Sequence, residues 1–143
     1  MMGKKVLVLG MARSGIAAAK LLLMRGAEVY ICDSKDEAEF KGALDELKAD
    51  GVKFCLGEKH PENLLEGMDA LIVSPGIPVD HPAVARAKTL GVEVMGEVEY
   101  AYRESTGLLL AVTGTNGKTT TVSLLGEIFK NAGRRTFVVG NIG

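Results

Sequence analysis

The sequence predicts an α/β protein: a complete parallel sheet wrapped by helices, followed by the start of a second unit built around a phosphate-binding loop. Three observations carry that prediction. Short apolar, β-branched runs alternate with amphipathic segments between residues 6 and 95, and such alternation gives parallel strands joined by right-handed crossovers. A glycine-rich turn, residues 10–15, follows the first of those runs. A second glycine loop, Thr113-Gly114-Thr115-Asn116-Gly117-Lys118-Thr119-Thr120, follows the apolar residues 108–112.

Each element has its own reason. Val6-Leu7-Val8-Leu9 is apolar on both faces and bounded by Gly10, as a buried parallel strand requires. Residues 15–25 form a helix that stops at Gly26. Residues 28–32 are a second strand, ending at Asp33. Residues 35–50 read as one helix, with Phe40, Leu44 and Leu47 as its buried stripe and its many charges as a solvated face. A third strand covers 52–56, a helical turn 61–65, and a fourth strand 70–73, which runs into Ser74-Pro75-Gly76-Ile77-Pro78. Asp80 is expected to cap a helix reaching residue 90, with Pro82 in its first turn. A fifth strand spans 92–95, and residues 97–104 form a linking helix. Strand 108–112, helix 120–132 and strand 136–139 then begin the second unit.

Five strands with helical connections suffice for a doubly wound sheet, whereas a two-stranded parallel unit cannot cover both its faces. The expected division is therefore a domain at 1–96, then a linker helix and the incomplete start of a P-loop domain at 97–143. The chain is expected to be the N-terminal piece of a longer protein and to be inactive by itself. Its second part would expose Leu124, Leu125, Ile128 and Phe129, a face that favours mobility or self-association.

Composition narrows the function classes. The chain has 143 residues, a formal charge of −1 and 47% hydrophobic content, which fits a soluble globular domain. The near-neutral charge argues against a nucleic-acid partner held by a strong positive field. No run reaches the roughly 18–20 apolar residues needed to span a bilayer, so no membrane partner is expected. The N-terminus enters a strand almost at once, without the layout of a signal peptide. Cys32 and Cys55 lie in strands without metal-type spacing and read as reduced core residues of a cytoplasmic protein. His60 and His81 each precede a proline and lack a catalytic partner pattern; they read as exposed or capping residues.

The loop at 113–120 carries the clearest chemistry. Gly114 and Gly117 permit a tight turn that aims backbone N–H groups at an anion, and the following helix adds its positive end. Lys118 can reach terminal phosphates as a cation, and the Thr119 hydroxyl suits a Mg²⁺ ligand. The common P-loop pattern has a further glycine where this chain has Val112.

The turn after the first strand, Gly10-Met11-Ala12-Arg13-Ser14-Gly15, is a weaker signal. It has the form G-x-G-x-x-G of a Rossmann-like dinucleotide site, with alanine at the middle glycine. A Cβ there hinders the usual NAD pose but leaves the helix N-terminus available to an anion. Arg13 and Ser14 add a cation and a hydroxyl. Asp33, at the end of the second strand, stands where an acidic side chain commonly meets a ribose or base. Asp33 is equally suited to cap the next helix, with Ser34 as the competing candidate for that cap. Three functional readings stay open on these residues alone: a nucleotide-dependent ligase, another P-loop ATPase, and a non-enzymatic nucleotide-binding module.

Residues 111–120, Ala-Val-Thr-Gly-Thr-Asn-Gly-Lys-Thr-Thr, resemble the ATP-binding loop of the Mur ligase family, whose members build the peptide of bacterial cell-wall precursors. Residues 10–15, Ser74-Pro75-Gly76-Ile77-Pro78, Gly96-Glu97-Val98-Glu99 and Gly140-Asn141-Ile142-Gly143 agree with that resemblance. A Rossmann-like N-terminal domain combined with Asn116 is similar to the members that join D-glutamate to UDP-MurNAc-L-alanine. The resemblance implies ATP and Mg²⁺ as requirements and an acyl phosphate as intermediate. It also implies residue roles. The loop Gly10, Met11, Ala12, Arg13, Ser14 and Gly15 would take the diphosphate, Asp33 and Ser34 the uracil end, Ser74 and Gly76 the sugar side, and Asn141 the diphosphate–sugar region. Gly114, Thr115, Asn116, Gly117, Lys118, Thr119 and Thr120 would hold ATP, with Lys118 catalytic and Thr119 on Mg²⁺.

Overall fold

The computed structural model describes residues 1–40 and 43–140. They fall into two compact units, Met1–Ser105 and Thr106–Gly143.

The first unit contains a five-stranded parallel sheet. Its strands are β1 (Lys5–Leu9), β2 (Glu28–Asp33), β3 (Lys53–Leu56), β4 (Ala70–Val73) and β5 (Glu93–Gly96), in the spatial order β3-β2-β1-β4-β5. The chain builds outward from β1 in one direction, then returns to pair β4 on its other side. That reversal creates a crevice between the carboxyl ends of β1 and β4, the place where open parallel sheets hold ligands. The register there is Leu9↔Val73.

Two apolar layers enclose the sheet, as the apolar runs at the centre of its strands require. On one face, Val6, Val8, Val29, Ile31 and Ile72 pack with Ala18, Ala19 and Leu22 of α1 (Arg13–Met24), Leu44 and Leu47 of α2 (Ala43–Ala49) and Tyr100 of α4 (Glu97–Glu104). On the other, Leu7, Leu9 and Leu71 pack with Ala83, Val84 and Ala87 of α3 (Pro82–Leu90). Most of these side chains are completely removed from solvent, which makes this layer pair the dominant stabilising term.

Helix α4 follows β5 without an intervening loop. It belongs to the first compact unit and joins α1 through an Arg25–Glu104 ion pair of 2.5 Å. Residues 35–50 form a 3-10 turn, Glu37–Phe40, and then α2, rather than one helix. Helix α3 is capped by His81, whose Nδ1 accepts from the Ala83 N–H at 3.2 Å, and not by Asp80. Pro82 explains the difference: it occupies the first helical position, so the cap falls on the residue before it.

The second unit contains α5 (Lys118–Asn131) and no strand among its described residues. Residues 108–112 and 136–139, expected as strands, have no ladder partner there. Val138 lies against Gly126, the buried residue of α5, where an added Cβ would come within 2.2 Å of the valine methyl.

Candidate functional site

The turn joining β1 to α1 is held from both sides. Gly10 adopts φ +102°, and a Cβ on it would stand 2.7 Å from the Ser74 hydroxyl oxygen. A Cβ on Gly15 would stand 2.1 Å from the Gly10 carbonyl oxygen. Both positions therefore need glycine, one for its backbone angle and both for space.

Asp33 fastens the same turn. Its carboxylate accepts from the Met11 N–H at 2.8 Å and from the Lys35 N–H at 3.0 Å. Instead of capping a helix, it ties the end of β2 to the β1 turn. The Met11 N–H is thereby occupied, and the Gly10 N–H donates to the Cys32 carbonyl at 2.8 Å. What remains for an anion is the first turn of α1, beginning at Arg13. Its N–H groups have no intrahelical acceptor. Ala12 offers no side-chain cap, and no acidic residue lies in the helix's first turn. Arg13 and Ser14 are exposed beside it.

Beside this turn is a cavity of about 100 Å³ lined by Gly10, Asp33, Ser34 and Ile77, with Glu58, Lys59, Pro61 and His81 completing the wall. The structure thus brings Gly10, Asp33 and Ser34 to one hollow. Lys59 and His81 join them there, from a loop and a helix cap whose sequence held no motif. Cys32 also lines the hollow, but burial above all pushes its thiol up to about 12, so it is no nucleophile near neutrality. A larger hollow of about 450 Å³, bounded by Asp36, Glu37, Lys48 and Phe54, includes none of the expected site residues.

Ser74 is placed differently from the other expected residues. It is 5% exposed, its N–H donates to the Leu9 carbonyl at 3.1 Å, and its hydroxyl donates to Glu97. Its side chain is turned into the fold behind Gly10. Gly76 is exposed on the β4 loop. Asn141 lies outside the described residues.

In the second unit, Gly117 adopts φ +76° at the N-cap of α5, again with no side-chain cap and no acid in the first turn. Lys118 is exposed, and its ammonium folds back onto the carbonyls of Gly114 and Thr115, the latter at 3.2 Å. Thr115, Asn116, Thr119 and Thr120 are exposed around the same helix end. Among the described residues no cluster of three or more His, Cys, Asp or Glu could hold a metal.

Residues 4–96 match the model of the Mur ligase MurD-like N-terminal domain, and residues 112–143 match the Mur ligase middle domain. The chain belongs to the Mur ligase family. Among curated Mur ligases, it is 51% identical to the UDP-N-acetylmuramoylalanine–D-glutamate ligase of Alkaliphilus oremlandii over 98% of its length. It is 49% identical to the enzyme of the same name from Caldanaerobacter subterraneus subsp. tengcongensis, also over 98%. The chain spans about 31% of the length of each. A murein peptide ligase from Psychrobacter arcticus 273-4 shares the fold, with a TM-score of 0.64, 21% identity, and coverage of 92% of this chain and 27% of that one. No described helix is long and apolar enough to cross a membrane.

Proposed function

We propose that this chain supplies the nucleotide-sugar cleft and the ATP loop of a ligase that joins D-glutamate to UDP-MurNAc-L-alanine in peptidoglycan precursor synthesis. The observation that carries the reading is the uncapped N-terminus of α1, beside a hollow that holds Asp33 and Ser34. Such a helix end accepts a diphosphate, and the hollow offers polar groups to the attached base. The identity to two named D-glutamate ligases supports the choice of substrate.

The reaction has two steps. The carboxylate of UDP-MurNAc-L-alanine attacks the γ-phosphorus of ATP, giving an acyl phosphate and ADP. The amine of D-glutamate then attacks the acyl carbon, phosphate leaves, and the amide forms. The residues of this chain bind and orient. The first turn of α1 and Arg13 neutralise the diphosphate, with Met11, Ala12, Ser14 and Gly15 shaping the turn. Asp33 and Ser34 receive the uracil end and Gly76 the sugar side, and Asn141 is assigned to the diphosphate–sugar region. The loop from Gly114 to Thr120 cradles the ATP phosphates. Lys118 exchanges the carbonyls of Gly114 and Thr115 for the transferring phosphoryl group, offsetting charge that grows in the transition state. The exposed Thr119 hydroxyl, on a helix end without acids, fits Mg²⁺ as one oxygen ligand among phosphate oxygens. When bound, Mg²⁺ supplies further charge neutralisation. The chain, which spans about 31% of the length of those ligases, should not complete amide synthesis by itself.

Calorimetric titration with UDP-MurNAc-L-alanine, NAD and ATP tests the reading. The uridine nucleotide should bind more tightly than NAD, and amide resonances of residues 10–15 should move with it. Tighter NAD binding at that turn would overturn the assignment.

A further inference from the structure

A buried carboxylate stands against the diphosphate turn, and the roles above leave it unused. Glu97 opens α4 directly after β5, is 6% exposed, and accepts the Ser74 hydroxyl proton through Oε1. Its Oε2 has no hydrogen-bond partner among the described residues. A buried carboxylate in this condition needs compensation. Two helix ends converge on it: the N-terminus of α4, to which Glu97 itself belongs, and the first turn of α1. A Cβ on Gly15 would lie 3.3 Å from Oε1.

The contacts form one closed group. Ser74 Oγ lies 3.4 Å from the Gly10 carbonyl, and that carbonyl is the atom pressed against Gly15. Ser74 also continues the β1–β4 ladder through its bond to Leu9. Three segments thus meet at the switch point of the sheet with no room to slide: the β1 turn, the β4 loop and the start of α4.

We infer that Glu97 and Ser74 are positioning residues, whose buried hydrogen bond holds Gly10 and the first turn of α1 in the shape that receives the diphosphate. The inference rests on the nucleotide reading above. It assigns Ser74 a role behind the turn rather than in contact with the sugar. Binding energy from the diphosphate should depend on the pair, whereas binding energy from the base, held at Asp33 and Ser34, should not.

The test uses the 143-residue chain and four variants: E97Q, E97A, E97D and S74A. Uridine and UDP are titrated separately by NMR. Removing one hydrogen bond to a charged group corresponds to roughly 10-fold in affinity. E97A and S74A should therefore weaken UDP by about 10-fold while leaving uridine within about twofold. E97D, one methylene short of Ser74, should behave like E97A. E97Q keeps an acceptor for the serine proton and removes a negative charge from the end of α1, so it should bind UDP at least as well as the parent. Equal weakening of uridine and UDP would mean a general structural role and overturn the inference. Unchanged UDP affinity in E97A would overturn it too. A parent chain that binds UDP no better than uridine would instead remove the diphosphate site itself. In ligand-free protein, E97A must shift the amide resonances of Gly10 and Gly15; unmoved resonances would show that the brace does not exist.

Discussion

Gly15 has no space for even one carbon more, because the Gly10 carbonyl occupies the position a Cβ would take. Gly15→Ala must push helix α1 away from β1 and should cost about 1–3 kcal/mol, measured by urea unfolding. Lys118 is the opposite case. It is exposed, and its partners are loop carbonyls that water can also satisfy. Lys118→Ala should shift the melting temperature by less than about 2 °C yet abolish turnover in a full-length ligase carrying the change. Near-normal turnover would show that the loop is not the ATP site. Glycines of this kind were legible in the sequence, since the turn chemistry is local. Glu97 was legible only as part of the Gly96–Glu99 stretch that agrees with the family resemblance; its bond to Ser74 comes from the fold alone.

Helix α4 is anchored by one aromatic side chain. Tyr100 is 1% exposed, and its hydroxyl has no hydrogen-bond partner among the described residues. Burial, with repulsion from Glu104, pushes the phenol from 10.0 up to about 12. The folded state therefore holds this proton more tightly than the unfolded chain. The resulting stability is fully present below pH 10 and is lost as pH rises toward about 12. Tyr100→Phe should remove that part of the alkaline loss and be neutral or stabilising at pH 7, because it deletes an unsatisfied group. Tyr100→Ala should cost about 3–5 kcal/mol. Denaturant unfolding at pH 7 and across the alkaline range checks all three. At this scale, the sequence reading succeeded where an element's own residues decide it. Each of the strands β1 to β5 is built on a short apolar run. It failed where a partner decides: residues 108–112 are as apolar as β1, but a strand also needs a neighbour for its backbone groups. The single helix expected over 35–50 contains Gly42, and an interior glycine costs a helix about 1 kcal/mol.

At the scale of the whole molecule, burial is unequal. The first unit encloses a large buried core, whereas Leu108, Leu124, Ile128, Phe137 and Val139 of the second are 60–89% exposed. Such a surface favours association of copies at high concentration. Sedimentation should show an average mass that falls on dilution, and Leu124→Lys with Ile128→Lys should abolish the dependence. A constant monomer mass at all concentrations would rule this out. The doubly wound architecture was readable because alternation alone dictates it. The order of the strands follows from which side of β1 receives β4, a choice made by long-range packing.

That choice also sets a timetable. Strand β1 pairs with β2 at once, but its other edge waits for β4, whose register partner for Val6 is Ala70, 64 positions away. On a ribosome adding about 5–20 residues each second, the 40 residues between Asp33 and Val73 take roughly 2–8 s to appear. Throughout that interval a strand with four buried apolar residues has one open edge, and the nascent chain is at its most vulnerable to mispairing with a neighbour.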